Sequence, residues 1–171
     1  NMFNTLRKNN NICVIGDVIL DNYINLDYLY NREGVPIYSI TDSTKILGGA
    51  GNVLNQLITA EQNVVLITKL GTDESASHLT EIINNKIFHK ENIMIYYDSD
   101  IKTTTKYYLD LGLRLEVNDC VSSTLFDDLI LDSVKNLDLN TIDAVIFSDY
   151  CKGVFDINPD YDLNIMKQGQ T

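Results

Sequence analysis

The segment Gly48-Gly49-Ala50-Gly51-Asn52 stands directly before a helical pattern. Consecutive glycines let backbone N–H groups come close to a ligand, and a helix start adds partial positive charge for a polar or anionic group. It is not a Walker loop, since no Gly-Lys-Ser/Thr follows, and it lacks the third glycine of a dinucleotide fingerprint. The plain alternative is a turn leading into a helix. Asp17 and Asp21 follow the apolar run Asn11 to Gly16, where the carboxyl ends of parallel strands present ligand-binding groups. In so acidic a chain, ordinary surface acids are the competing reading. Ser148-Asp149-Tyr150-Cys151-Lys152-Gly153 follows another apolar run, and its lysine suits either a phosphate or open solvent.

These three loops need a scaffold, and the pattern supplies one. Asn11 to Gly16, Asn63 to Lys69 and Asp143 to Ser148 are short, nearly continuous apolar runs, the signature of strands buried on both faces of a parallel sheet. Helical spacing joins Val53, Leu54, Leu57 and Ile58, and again Leu79, Ile82 and Ile83 after the acidic start Asp73-Glu74. A third helix is expected from about Leu125 to Leu137, with Phe126, Ile130 and Val134 in register and Ser123 or Thr124 as N-cap. Alternating strands and helices imply a doubly wound α/β layer. Two stretches fall outside it. Tyr23 to Ile40 holds short extended pieces around Arg32-Glu33-Gly34, and Lys102 to Val117 reads as a hairpin whose second arm puts Leu111, Leu113, Leu115 and Val117 on one face. Together they predict a small separate sheet with one apolar face that needs a cover.

At 171 residues and 19.3 kDa the chain suits one ordinary domain. Its formal charge of −11 disfavours a nucleic-acid partner, which would be held against long-range repulsion. No apolar run is long enough for a membrane span or a secretory core, so a cytoplasmic location is expected. Cys13, Cys120 and Cys151 are far apart, without C-x-x-C spacing, and are read as reduced thiols. His78 and His89 match no common helical ligand spacing and are read as partly exposed surface residues, so no metal site is expected.

Gly16-Asp17-Val18-Ile19-Leu20-Asp21, the Gly48 to Asn52 segment, Leu70-Gly71-Thr72-Asp73 and Ser148 to Gly153 follow one another as in the ribokinase-like (PfkB-type) carbohydrate kinases. Over about Asn11 to Val154 the chain most resembles the heptose-7-phosphate kinase domain of the bacterial ADP-heptose pathway. The resemblance implies a three-layer α/β core, a Rossmann-like parallel sheet with helices on both faces, and a β-sheet lid made of about 22–47 and 102–118. Residues 1–154 would be the N-terminal half of a kinase domain, and 155–171 an unpatterned tail. Asp21 would bond sugar hydroxyls, while Gly48, Gly49 and Asn52 would line the sugar pocket. Asp17 and Arg114 would lie near it, and Lys152 near a phosphate.

The family's implied cofactor is magnesium ATP, although tight binding to these residues is not expected. Its Gly-Ala-Gly-Asp segment, whose aspartate is the general base, does not occur among them. No catalytic residue is therefore assigned, and an asparagine at position 52 cannot accept a hydroxyl proton. The chain is thus expected to be inactive alone and to bind a sugar or sugar phosphate, with a completing C-terminal chain or a homodimer through the lid as partner. The alternative is a non-catalytic truncated homologue serving as a sugar-binding or dimerisation module. Two positions depart from the family's glycine signature, Leu54 where a small residue is usual and Glu61 where glycine or serine is usual. Leu54 is expected to crowd its helix against the sheet.

Overall fold

A computed structural model describes residues 9–112, 114–117, 128–138, 140–152 and 154–155. In chain order the elements are β1 (Asn11–Gly16), β2 (Val18–Arg32), β3 (Val35–Gly49), α1 (Ala50–Thr59), β4 (Asn63–Leu70), α2 (Glu74–Lys86), β5 (Ile93–Tyr97), β6 (Thr105–Leu109), β7 (Arg114–Val117), α3 (Asp128–Asn136) and β8 (Ala144–Ser148). Strands β5-β4-β1-β8 form one sheet in that order, and every pair in it is parallel. The three apolar runs of the sequence are therefore neighbours, with Ile12 facing Val64 on one side and Ala144 on the other.

Burial on both faces explains the lack of polar alternation in these runs. Val14 and Leu66 pack with Leu54 of α1 and with Leu79 and Ile83 of α2. Cys13, Ile15 and Ile67 point the opposite way, into a cluster with Val134, Leu137, Phe147 and Phe155. Helices thus cover both faces, as a doubly wound layer requires. Leu54 is wholly buried in the first cluster, where it serves as core rather than as an obstacle. Strand β5 has no counterpart in the sequence reading, although Ile93-Met94-Ile95-Tyr96-Tyr97 is a short run of strand formers. The start expected at Ser123 or Thr124 lies outside the described residues, as do Phe126, Leu113, Gly153, Cys120 and the tail from 156.

Helix α1 ends in a Schellman arrangement, with Gln62 N–H donating to the Leu57 carbonyl at 3.0 Å and Glu61 N–H to that of Ile58 at 2.9 Å. Glu61 therefore takes φ +59°, the left-handed region that favours glycine. The departure at position 61 has its physical meaning here. Glu61→Gly is expected to stabilise the chain by about 1 kcal/mol, less whatever the exposed glutamate contributes, raising Tm by about 2–4 °C. Calorimetry giving an unchanged or lower Tm would count against this. Helix α2 is capped conventionally: Asp73 accepts from Ala76 N–H at 2.9 Å, with Glu74 in the first turn and Lys86 in the last. Asp73 also accepts from Thr103 N–H at 2.7 Å, which joins the helix start to the segment leading into β6.

The second sheet has the order β3-β2-β6-β7. Instead of short extended pieces, Val18 to Gly49 forms one long hairpin of two 15-residue strands. Its tip, Glu33-Gly34, has positive φ at both residues (52° and 86°), as the tight two-residue hairpin turn requires. Asn, Asp and Ser interrupt the apolar alternation, and two register shifts, at Asn25/Leu26 and Tyr28/Tyr30, move the pattern from one face to the other. The length of these strands therefore rests on cross-strand pairing, including the Tyr28–Tyr38 edge-to-face contact, more than on a continuous apolar face. Beyond its root the hairpin exposes Tyr28, Leu29, Val35 and Ile40.

Candidate functional site at the lid root

Asp17 occupies the single position between β1 and β2 and is 2% exposed. Its N–H donates to the Ser148 carbonyl at 3.1 Å, and its carbonyl accepts from Ala50 N–H at 2.9 Å. The carboxylate faces the loop after β8: Oδ2 accepts from Tyr150 N–H at 2.8 Å and Lys152 N–H at 3.2 Å, and Oδ1 from Val154 N–H at 3.0 Å. One residue thus ties together the end of β1, the start of α1 and the Ser148 to Val154 loop. Burial pushes the Asp17 carboxyl up, against the pull of these three donors. Its hydrogen bonds are directed at backbone, so its geometry is that of an anchor.

Asp21 lies half-buried on β2, paired with Ile46 on one side and Lys106 on the other. Its carboxylate lies over Gly48, where an added β-carbon would fall inside contact distance of the carboxyl atoms. A side chain at position 48 would therefore displace the Asp21 carboxylate. Gly49, the N-cap of α1, has φ 57° and ψ −131° and stands against the Asp17 carbonyl. Asn52 is exposed on the first turn of α1. Arg114 begins β7 opposite Tyr108, and its side chain lies outside the described parts. Tyr108 stacks on Tyr23 with ring centroids 4.7 Å apart. The register therefore sets Asp21, Lys106 and Glu116 in one row across the lid and Tyr23, Tyr108 and Arg114 two rows along.

Lys152 is half-buried and lines a cavity of about 10 Å³, near the size of one water, together with Asp17, Lys69 and Lys102. Lys69, the next-to-last residue of β4, is 8% exposed and pairs with Asp98 at 2.8 Å. The Lys69 ammonium, helped by the Asp100 N–H, holds the Asp98 carboxyl below its ordinary range. Lys106 reaches from β6 to the loop after β8, its ammonium 5.8 Å from the centre of the Tyr150 ring. Lys69, Lys102 and Lys106 are site residues that the motifs do not name, while Tyr150 belongs to the Ser148 to Gly153 motif. A signal existed for Lys69, since a lysine inside the apolar run Asn63 to Leu70 needs a partner.

His78 lies 2.7 Å from Lys45 and His89 lies 3.2 Å from Glu91. Cys13 and Cys151 are free thiols, and burial pushes Cys13 up to about 12. Among the described residues no three His, Cys, Asp or Glu side chains converge to hold a metal ion. No helix among them is long and apolar enough to cross a membrane. The arrangement can present the Asp21 carboxylate to hydroxyl groups beneath a sheet, beside a glycine-lined helix start and several ammonium groups.

No family model matches the chain. It is 29% identical over 157 residues to the Bifunctional protein HldE of Aliarcobacter butzleri, covering 87% of this chain and 32% of that one. It is 31% identical over 151 residues to the HldE of Sulfurimonas denitrificans, covering 84% and 31%, and 32% identical over 153 residues to that of Helicobacter pylori, covering 85% and 32%. The chain therefore spans about a third of the length of these relatives. Among solved structures it matches Escherichia coli phosphofructokinase-2 in complex with substrates and products, with TM-score 0.62, 12% identity and coverage of 94% of this chain and 50% of that one. A carbohydrate kinase from Agrobacterium tumefaciens gives TM-score 0.59 at 15% identity, covering 81% and 45%. The Arabidopsis thaliana ribokinase complexed with ribose and ATP gives 0.53 at 13%, covering 82% and 45%.

Proposed function

The chain is a ribokinase-like, PfkB-type relative of the HldE proteins, and on that premise we propose that it forms the acceptor side of a sugar-phosphate kinase, with heptose 7-phosphate as the model substrate. The observation that carries this reading is the placement of Asp21. A half-buried carboxylate set against Gly48, at the root of a lid sheet, is suited to accept hydrogen bonds from vicinal hydroxyls. Gly49 and Asn52 follow Gly48 at the start of α1. Asp17 acts by holding the loop that carries Lys152, and Arg114 begins β7 of the lid.

Magnesium ATP is the phosphoryl donor that the relationship suggests for a whole enzyme. The described residues offer no carboxylate cluster for its metal, so their contribution is to bind and orient the acceptor and to exclude water as the lid meets the core. Transfer by these residues alone is not expected, because the sequence holds no Gly-Ala-Gly-Asp base segment. A second reading, a binding or dimerisation module, draws support from the exposed Leu111, Leu115 and Ile40 of the lid, which suit a homodimer through that sheet. A cytoplasmic location accompanies either reading.

Calorimetry with heptose 7-phosphate, fructose 6-phosphate and ribose tests the proposal. The wild-type chain is expected to bind one of the sugar phosphates, and Asp21→Ala to weaken that binding about 10-fold or more, the worth of a hydrogen bond to a charged group. Absence of binding by the wild type would refute the acceptor-side role. ATP-dependent turnover by the purified chain would refute its inactivity alone.

A further inference from the structure

The lid sheet meets the core along helix α2, against which β2 and β3 pack. Two side-chain pairs tie the parts together: the Ser75 and Thr105 hydroxyls at 2.7 Å, and His78 Nε2 with Lys45 Nζ of β3 at 2.7 Å. An ammonium only donates, so the ring nitrogen that meets it is an acceptor. The bonded imidazole is therefore neutral, with its proton on Nδ1. Glu74, one turn earlier on α2, brings Oε1 to 3.4 Å from the same Nε2. His78 thus stands between a cation of the lid and an anion of its own helix. The row of Lys45 continues with Asn22 on β2, whose carboxamide oxygen accepts from Ser43, and with the phenol of Tyr107 on β6. On α2 itself Glu81 lines the groove beside Tyr97.

We infer that His78 is a proton-sensitive latch between lid and core: neutral, it holds Lys45 of the lid, and protonated, it releases that lysine and turns to Glu74. Imidazole is the side chain that changes charge between about pH 5 and 8. A proton on Nε2 removes the acceptor, sets two cations side by side, and gives Glu74 a donor. Glu74 is 88% exposed, so its contact with the imidazolium is screened and holds no part of the lid. The latched arrangement disfavours proton uptake, so the latch is complete at the upper end of that range and is lost as pH falls. Buried Leu20 and Leu47, with the Ser75–Thr105 pair, keep the lid root in place at either pH. What loosens is β3 outward from Lys45. The device is a property of the β3–α2 contact and does not depend on which acceptor the chain binds.

Amide hydrogen exchange tests it, with each rate divided by its intrinsic rate at that pH, at about pH 8 and about pH 5.5. In the wild type, protection of the β3 amides from Ile40 to Lys45 is expected to fall about 5- to 10-fold at the lower pH, the worth of a hydrogen bond to a charged group, while Leu66 in the core keeps its protection. His78→Gln can accept from Lys45 but takes up no proton, so it should hold the high protection at both pH values. Lys45→Met, verified as folded by circular dichroism, should show the low protection at both. Nitrogen-15 shifts of the His78 ring at pH 8 should show the proton on Nδ1. A ring protonated on Nε2 at that pH overturns the inference. So does a fall in His78→Gln equal to that of the wild type, or a fall of the same size at Leu66, which would mark general acid destabilisation.

Discussion

Asp17→Ala is expected to lower stability by about 3 kcal/mol, and Tm by about 6–12 °C. The carboxylate is the acceptor for Tyr150, Lys152 and Val154 N–H groups, and the last of these bonds is fully buried. An alanine leaves three donors facing a space without an acceptor, at about 1–3 kcal/mol for each that water does not reach. Removing a buried carboxylate relieves its own desolvation, which keeps the net effect below the sum. Asp17→Asn is expected to recover little, because its amide NH₂ group would face backbone donors on one side. The specific readout is amide hydrogen exchange, which should accelerate at Tyr150, Lys152 and Val154. Unchanged protection there, or a Tm within about 2 °C of the wild type, would show that the loop is held by other contacts.

Gly49→Ala should cost at least as much, by a different route. At φ 57° and ψ −131° the residue occupies backbone space that is nearly restricted to glycine. A β-carbon there would also press on the Asp17 carbonyl and the Ile19 side chain. The carbonyl cannot retreat without breaking the 2.9 Å bond from Ala50 N–H that starts α1. A loss of about 3 kcal/mol or more is expected in urea unfolding. Gly34→Ala is the control: φ is 86° at the hairpin tip, but nothing lies within 4 Å of an added β-carbon, so backbone strain alone applies, about 1 kcal/mol. Equal losses in the two variants would mean that the close approach at Gly49 is relieved elsewhere.

Local pattern carried much of the fold. The apolar runs around Ile12 to Ile15, Val64 to Thr68 and Ala144 to Phe147 determined three strands, because burial on both faces leaves no room for polar alternation. Asp73 and Glu74 marked the start of α2, since cap chemistry is confined to a few adjacent residues. Asp17, between β1 and β2, and Lys152, after β8, stand at element ends, where backbone conformation restricts residue type, whereas Asp21 and Gly48 lie within β2 and β3. The full length of the β2–β3 hairpin was not legible, because its register shifts transfer the pattern between faces and its cross-strand partners lie up to about thirty residues away.

Only the tertiary structure decided what those residues touch. That Asp17 accepts three hydrogen bonds follows from β1 and β8 lying side by side, a pairing of residues more than 130 positions apart. No local periodicity encodes such a pairing. Lys69, Lys102 and Lys152 come from three separate segments, and Lys106 meets Tyr150 because β6 pairs in parallel with β2. In sequence Lys102 and Lys106 are each one more charge in an acidic chain. The packing of two sheets around Asp17 and Asp21 gathers them at one place, because register sets which side chains share a face and strand order sets which loop ends meet.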